Sequence, residues 1–124
     1  MTDVSSDSTL SVGAGGFDRF GVPQTADAAY SMTPEQIRDA VLKVVAFNDG
    51  CDVDELPSIL KPAEDGSLAL DSVQAVFAAS AFSNGFGTKK KLVNLSKIAQ
   101  KNWATTETVT KLLTDLIDKR RAGA

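Results

Sequence analysis

Val109, Leu112, Leu113, Leu116 and Ile117 recur at i, i+3, i+4, i+7 and i+8, the spacing that lines up apolar side chains along one stripe of an α-helix. Thr105 or Thr106 offers an N-cap for this run, and Lys119-Arg120-Arg121 complements the negative end of its dipole. A second helix opens at Thr33-Pro34-Glu35-Gln36, which supplies an N-cap, a proline at the first helical position and a glutamine to close a capping box. Ile37, Ala40, Val41, Val44, Val45 and Phe47 follow at helical spacing, until Asn48-Asp49-Gly50 stops the run.

Between these two lies a third helical stretch. Asp71 caps it, and it runs to about Ser83. Its apolar set, Val73, Val76, Phe77, Ala78, Ala79, Ala81 and Phe82, covers most of the circumference, so the helix is either central or keeps a face for partners. Leu92 to Gln100 offers a shorter helix through Leu95, Ile98 and Ala99. Cys51 to Leu70, with Pro57, Pro62 and Gly66, reads as a long loop that packs its own anchors Val53, Leu56, Ile59, Leu60, Leu68 and Leu70. Residues 1–31, rich in Ser and Gly and without helical or strand period, read as a flexible leader. The expectation is therefore an all-α domain over residues 32–121, with three long helices, one short helix, a long first loop and a tail at 122–124.

Composition narrows the chemistry. The chain contains no histidine, which removes Ser-His-Asp and Cys-His catalysis and the common zinc sites. Cys51 is the only cysteine, so no internal disulfide forms and the thiol reads as a spectator. Asp49, Asp52, Asp54 and Glu55 do not make a calcium loop, because Cys51, Val53 and Leu60 fall where an EF-hand needs oxygen ligands. Residues 31–72 hold nine acids against three bases, and residues 73–124 hold three acids against nine bases. Lys89-Lys90-Lys91 reads as a solvated loop, Trp103 as a core or staple residue, and nucleic-acid binding is disfavoured by the overall charge of −3 and the lack of interleaved stacking aromatics. The N-terminal sequence lacks a basic stretch followed by an apolar core, and no apolar run spans a bilayer, which predicts a cytoplasmic chain with no membrane partner.

Leu70-Asp71-Ser72-Val73 stands where the acid- and Gly-rich loop gives way to the Ala-rich helix. A serine there sits on the first helical turn, with its hydroxyl toward solvent and backbone N–H groups directed toward an attached anion. This arrangement, from Thr33 to Ile117, resembles the acyl carrier protein family, including peptidyl carrier domains. The resemblance implies that Ser72 is the attachment point for 4′-phosphopantetheine, delivered from coenzyme A by a separate phosphopantetheinyl transferase, and that Asp71 is the acid of the motif. Val73 stands where leucine or methionine is commoner in the family, and Leu70 where a small residue is. The implied protein is no enzyme. It is a monomeric tether that holds acyl groups as thioesters for acyl-loading, condensing or tailoring enzymes of a polyketide, fatty-acid or lipopeptide pathway. After Asp71 the helix carries no acids, so partner contact is expected through Leu70, Val73, Val76 and Phe77 rather than through charge. An unmodified helical interaction module of the same shape is the alternative. Ala75, Ala78, Ala79 and Ala81 allow either an acyl pocket inside the bundle or close helix packing.

Overall fold

The computed structural model describes residues 16–83 and 98–123. Over these residues the chain is all-α: α1 (Ala26–Tyr30), α2 (Pro34–Asn48), α3 (Leu56–Ile59), α4 (Ser72–Ser83) and α5 (Thr106–Ala122). The short helix expected over Leu92–Gln100 and the lysine run Lys89-Lys90-Lys91 lie largely or wholly outside the described residues, although Gln100–Asn102 forms a 3₁₀ turn.

Helix α2 begins as its sequence dictates. The Thr33 hydroxyl accepts from the Gln36 N–H at 3.2 Å, and the Gln36 side-chain oxygen accepts from the Thr33 N–H at 2.9 Å. Its end is equally well closed, since Gly50 at φ +71° donates to the Phe47 carbonyl and Cys51 to the Ala46 carbonyl, the paired bonds of a Schellman motif. Ile37, Ala40, Val41, Val44 and Val45 are buried along one face. Phe47 departs from expectation: it is 52% exposed and lies 5.0 Å from the Phe20 ring, with the Arg19 guanidinium over both rings.

Helix α5 is capped by Thr105, whose hydroxyl accepts from the Thr108 N–H. It buries Val109, Leu113 and Ile117 and leaves Leu116 partly covered, which matches the stripe in the sequence. Helix α2 packs against both α4 and α5, so the core is the seam of three long helices. A bidentate pair, Arg38 Nε and Nη2 to the two Glu107 oxygens at 3.0 and 3.1 Å, ties α2 to α5 at the surface. At this exposure such a pair is worth about 0–1 kcal/mol, and it fixes register more than it stabilises.

The leader needs correction. From Gly16 onward the segment is folded: the Asp18 carboxylate accepts from the Phe20 and Val22 N–H groups, Gly21 turns at φ +79°, and Phe17 and Pro23 form an antiparallel bridge. Val22 and Ala29 are fully buried, and α1, capped by Thr25, packs against α5. Burial of even a few apolar side chains holds a short segment that has no periodic signal of its own. At the other end, α5 continues to Ala122, one residue into the expected tail.

The long loop packs its own side chains, as expected, and contains more structure than a loop. Val53–Glu55 is a 3₁₀ turn leading into α3, and Leu56 is wholly buried. Its second half is pinned to the start of α5 by Leu70 N–H to Ala104 O and Thr106 N–H to Leu68 O, both 2.8 Å. Asp65 reinforces the junction. The Ser67 hydroxyl, the Ser67 N–H and the Thr105 hydroxyl all donate to its carboxylate, in that order of effect, and hold its pKa below the usual range. Because the folded pKa lies below the unfolded one, this stabilisation is complete above the unfolded value near 3.9 and is lost as pH falls through the folded value. Asp65→Asn is therefore expected to flatten the decline of the unfolding midpoint with pH below about pH 4, which acid titrations of both proteins by circular dichroism will read.

Candidate functional site

The site is built on the first turn of α4. Asp71 is the N-cap: its carboxylate accepts from the Gln74 N–H at 2.8 Å, and the Gln74 side-chain oxygen accepts from the Asp71 N–H at 2.9 Å. This reciprocal pair is a capping box with Asp and Gln in its two places. The Gln74 amide then donates to Asp49 at 2.8 Å. Asp49 is the C-cap of α2, so one side chain, only 8% exposed, locks the start of α4 to the end of α2. Sequence reasoning passed over Gln74, although its spacing of three from a capping Asp is the signal that would have found it. Asp71→Ala removes the cap and strands Gln74, and is expected to cost about 1–2 kcal/mol in urea denaturation.

Ser72 follows the cap as the first helical residue. It is exposed, its hydroxyl has no hydrogen-bond partner among the described residues, and the N–H groups of Ser72 and Val73 have none either. These two donors sit at the positive end of a twelve-residue helix. Among the described residues no base touches the hydroxyl: the neighbouring Asp71 carboxylate accepts from the Gln74 N–H, and the chain has no histidine. As it stands, the Ser72 hydroxyl is accessible and no described residue activates it as a nucleophile.

The four residues expected at a contact surface divide. Val73, Val76 and Phe77 are 66%, 48% and 39% exposed, and with Ser72 and Ser80 they line an open hollow of about 350 Å³. Leu70 is not with them. It is 7% exposed and belongs to the core cluster, because the loop must fold back under α4 to reach Ala104. On the Asp71 side lies a separate groove of about 570 Å³, bordered by Ile59, Leu60, Lys61 and Leu70 with Asp49 and Asp71.

No protein-family model, curated protein or solved structure matches this chain.

Helix α4 sorts its side chains by size against the usual order. The small Ala75, Ala78 and Ala79 face inward with Phe82, while the larger Val73, Val76 and Phe77 face out. Alanines at the contact let helices approach closely, and the apolar bulk is left on the outer face beside Ser72. Among the described residues no cluster of His, Cys, Asp and Glu could hold a metal ion. No helix among them is long and apolar enough to cross a membrane. Cys51 lies partly buried, and desolvation, aided by Glu55, Asp49 and Asp52, pushes its pKa up, away from the reactive thiolate.

Proposed function

We propose that this chain is an acyl carrier protein with a carrier-type helical bundle, and that Ser72 receives 4′-phosphopantetheine from coenzyme A through a separate transferase. The observation that carries the reading is the Ser72 hydroxyl: exposed, first in a capped helix, and, among the described residues, without a hydrogen-bond partner and beside two unengaged N–H donors. In the transfer, the Ser72 oxygen bonds to the phosphorus next to the pantetheine, the phosphoanhydride bond breaks, and the nucleotide leaves. The transferase takes the hydroxyl proton. The bound arm supplies a terminal thiol that carries acyl groups as thioesters.

What the chain contributes is placement. The phosphodiester anion lies near the positive end of α4, where helix-end interactions are worth about 0.3–1 kcal/mol. The Asp71–Gln74–Asp49 chain of hydrogen bonds keeps that end fixed on the bundle. Tethering raises the local concentration of cargo for each successive enzyme. The protein works in the cytoplasm as a monomer, serving acyl-loading, condensing or tailoring enzymes of a polyketide, fatty-acid or lipopeptide pathway. Neither nucleic acid nor membrane is among its partners.

Intact mass before and after incubation with coenzyme A, magnesium and a broad-specificity transferase tests this. The expected result is a gain of one phosphopantetheinyl group. An unchanged mass for the folded protein with several such transferases would replace the reading with an unmodified interaction module, for which the exposed Val73, Val76 and Phe77 speak.

A further inference from the structure

If Ser72 bears an acyl-carrying arm, the cargo must lie somewhere, and α4 offers two sides. The inner side is closed. Ala75, Ala78 and Phe82 are at most marginally accessible, and they belong to the same buried cluster as Val41, Val45 and Leu113. Interiors packed in this way accept an added chain only by moving side chains off their preferred rotamers. The outer side is open, and Ser72 itself lines it.

We propose that the cargo is an apolar acyl chain and that it lies along the outer face of α4, on Val73, Val76 and Phe77, rather than inside the bundle. This rests on the carrier reading of Ser72. Three observations point to this occupant. The arm is rooted at Ser72, which itself borders the apolar hollow, so an acyl chain on the far thiol reaches that surface when the arm folds back along α4. Among the described residues the only polar side chains of that hollow are the hydroxyls of Ser72 and Ser80, with no charge to hold an ammonium or a carboxylate. The charged groups near the site, Asp49, Asp71 and Lys61, border the separate groove on the other side. Tethering makes the contact intramolecular, at an effective concentration on the order of millimolar, so a weak apolar contact is still populated. The consequence for partners is direct: an enzyme that docks on α4 meets the cargo already lying on the surface and does not have to extract it.

The test loads the full chain with octanoyl- or succinyl-phosphopantetheine from the corresponding coenzyme A thioesters, verifies each adduct by mass, and records nuclear Overhauser contacts from the acyl protons. Octanoyl contacts to the Val73 and Val76 methyls and the Phe77 ring, absent for succinyl, are expected. Octanoyl contacts to Val41, Leu113 or Phe82 would overturn the proposal in favour of an internal pocket. Absence of protein contacts, or equal contacts for both chains, would also overturn it. Failure to form any adduct appears at the mass step and removes the carrier reading itself.

Discussion

Phe82→Ala lowers the stability of this protein by about 3–5 kcal/mol, whereas Phe77→Ala, on the same helix, costs less than about 1 kcal/mol. The difference follows from placement alone. Phe82 is wholly buried in the seam where α4 meets α2 and α5, so its removal loses the transfer free energy of the ring and leaves a cavity. Phe77 is 39% exposed on the outer face, where water already covers much of the ring. Since a domain of this size is stable by only about 5–15 kcal/mol, the first change removes a large share of the total. Thermal melts should show a fall of more than about 10 °C for Phe82→Ala and a small one for Phe77→Ala. Equal effects would mean that α4 is rotated from the orientation described.

Val22→Asp is the second large effect. Val22 is 1% exposed, and its N–H is held by Asp18. A carboxylate cannot stay there unpaired, because burial of an isolated charge costs far more than the segment gains by docking. The segment is therefore expected to leave the bundle, so the loss is limited to what its docking is worth, of which the buried valine alone accounts for about 1.5–3 kcal/mol. Hydrogen exchange would locate the change: the Gln24 and Ala29 amides, bonded to Gly16 and Thr25 carbonyls, lose protection, while Val41 and Leu113 stay protected. Unaltered stability and exchange would contradict the docking of residues 16–32.

Both effects concern parts of the fold that sequence pattern does not resolve. Helices α2 and α5 were legible because each has a single apolar stripe and a side-chain cap, two independent signals that agree. The start of α4 was legible through Asp71 for the same reason. Its orientation was not. A helix apolar nearly all round has no preferred face, and the choice went to burial of Ala75 and Ala78 in the core cluster, which left the larger residues outside. Leu70 is not legible from the motif, because a residue so near an exposed serine need not share its exposure: the backbone bond from Leu70 to Ala104 accompanies an inward side chain. Residues 16–31 carry no local period that announces a fold, because Val22, Pro23 and Ala29 anchor them through tertiary burial. At the site, Ser72 stood out by its motif, whereas Gln74 did not, since its importance lies in Asp49, twenty-five residues away in the chain.

The proposed function stands or falls on Ser72 itself as the point of attachment. Trypsin gives a long peptide here, because Lys61 is followed by Pro62, and Ser58, Ser67, Ser72, Ser80 and Ser83 all fall within it. The deciding measurement is therefore the fragmentation spectrum of that peptide after transferase treatment, recorded for the natural protein and for Ser72→Ala. One phosphopantetheinyl group on Ser72 is expected in the natural protein and none in the variant. An adduct on another serine, or undiminished loading of folded Ser72→Ala, would contradict it.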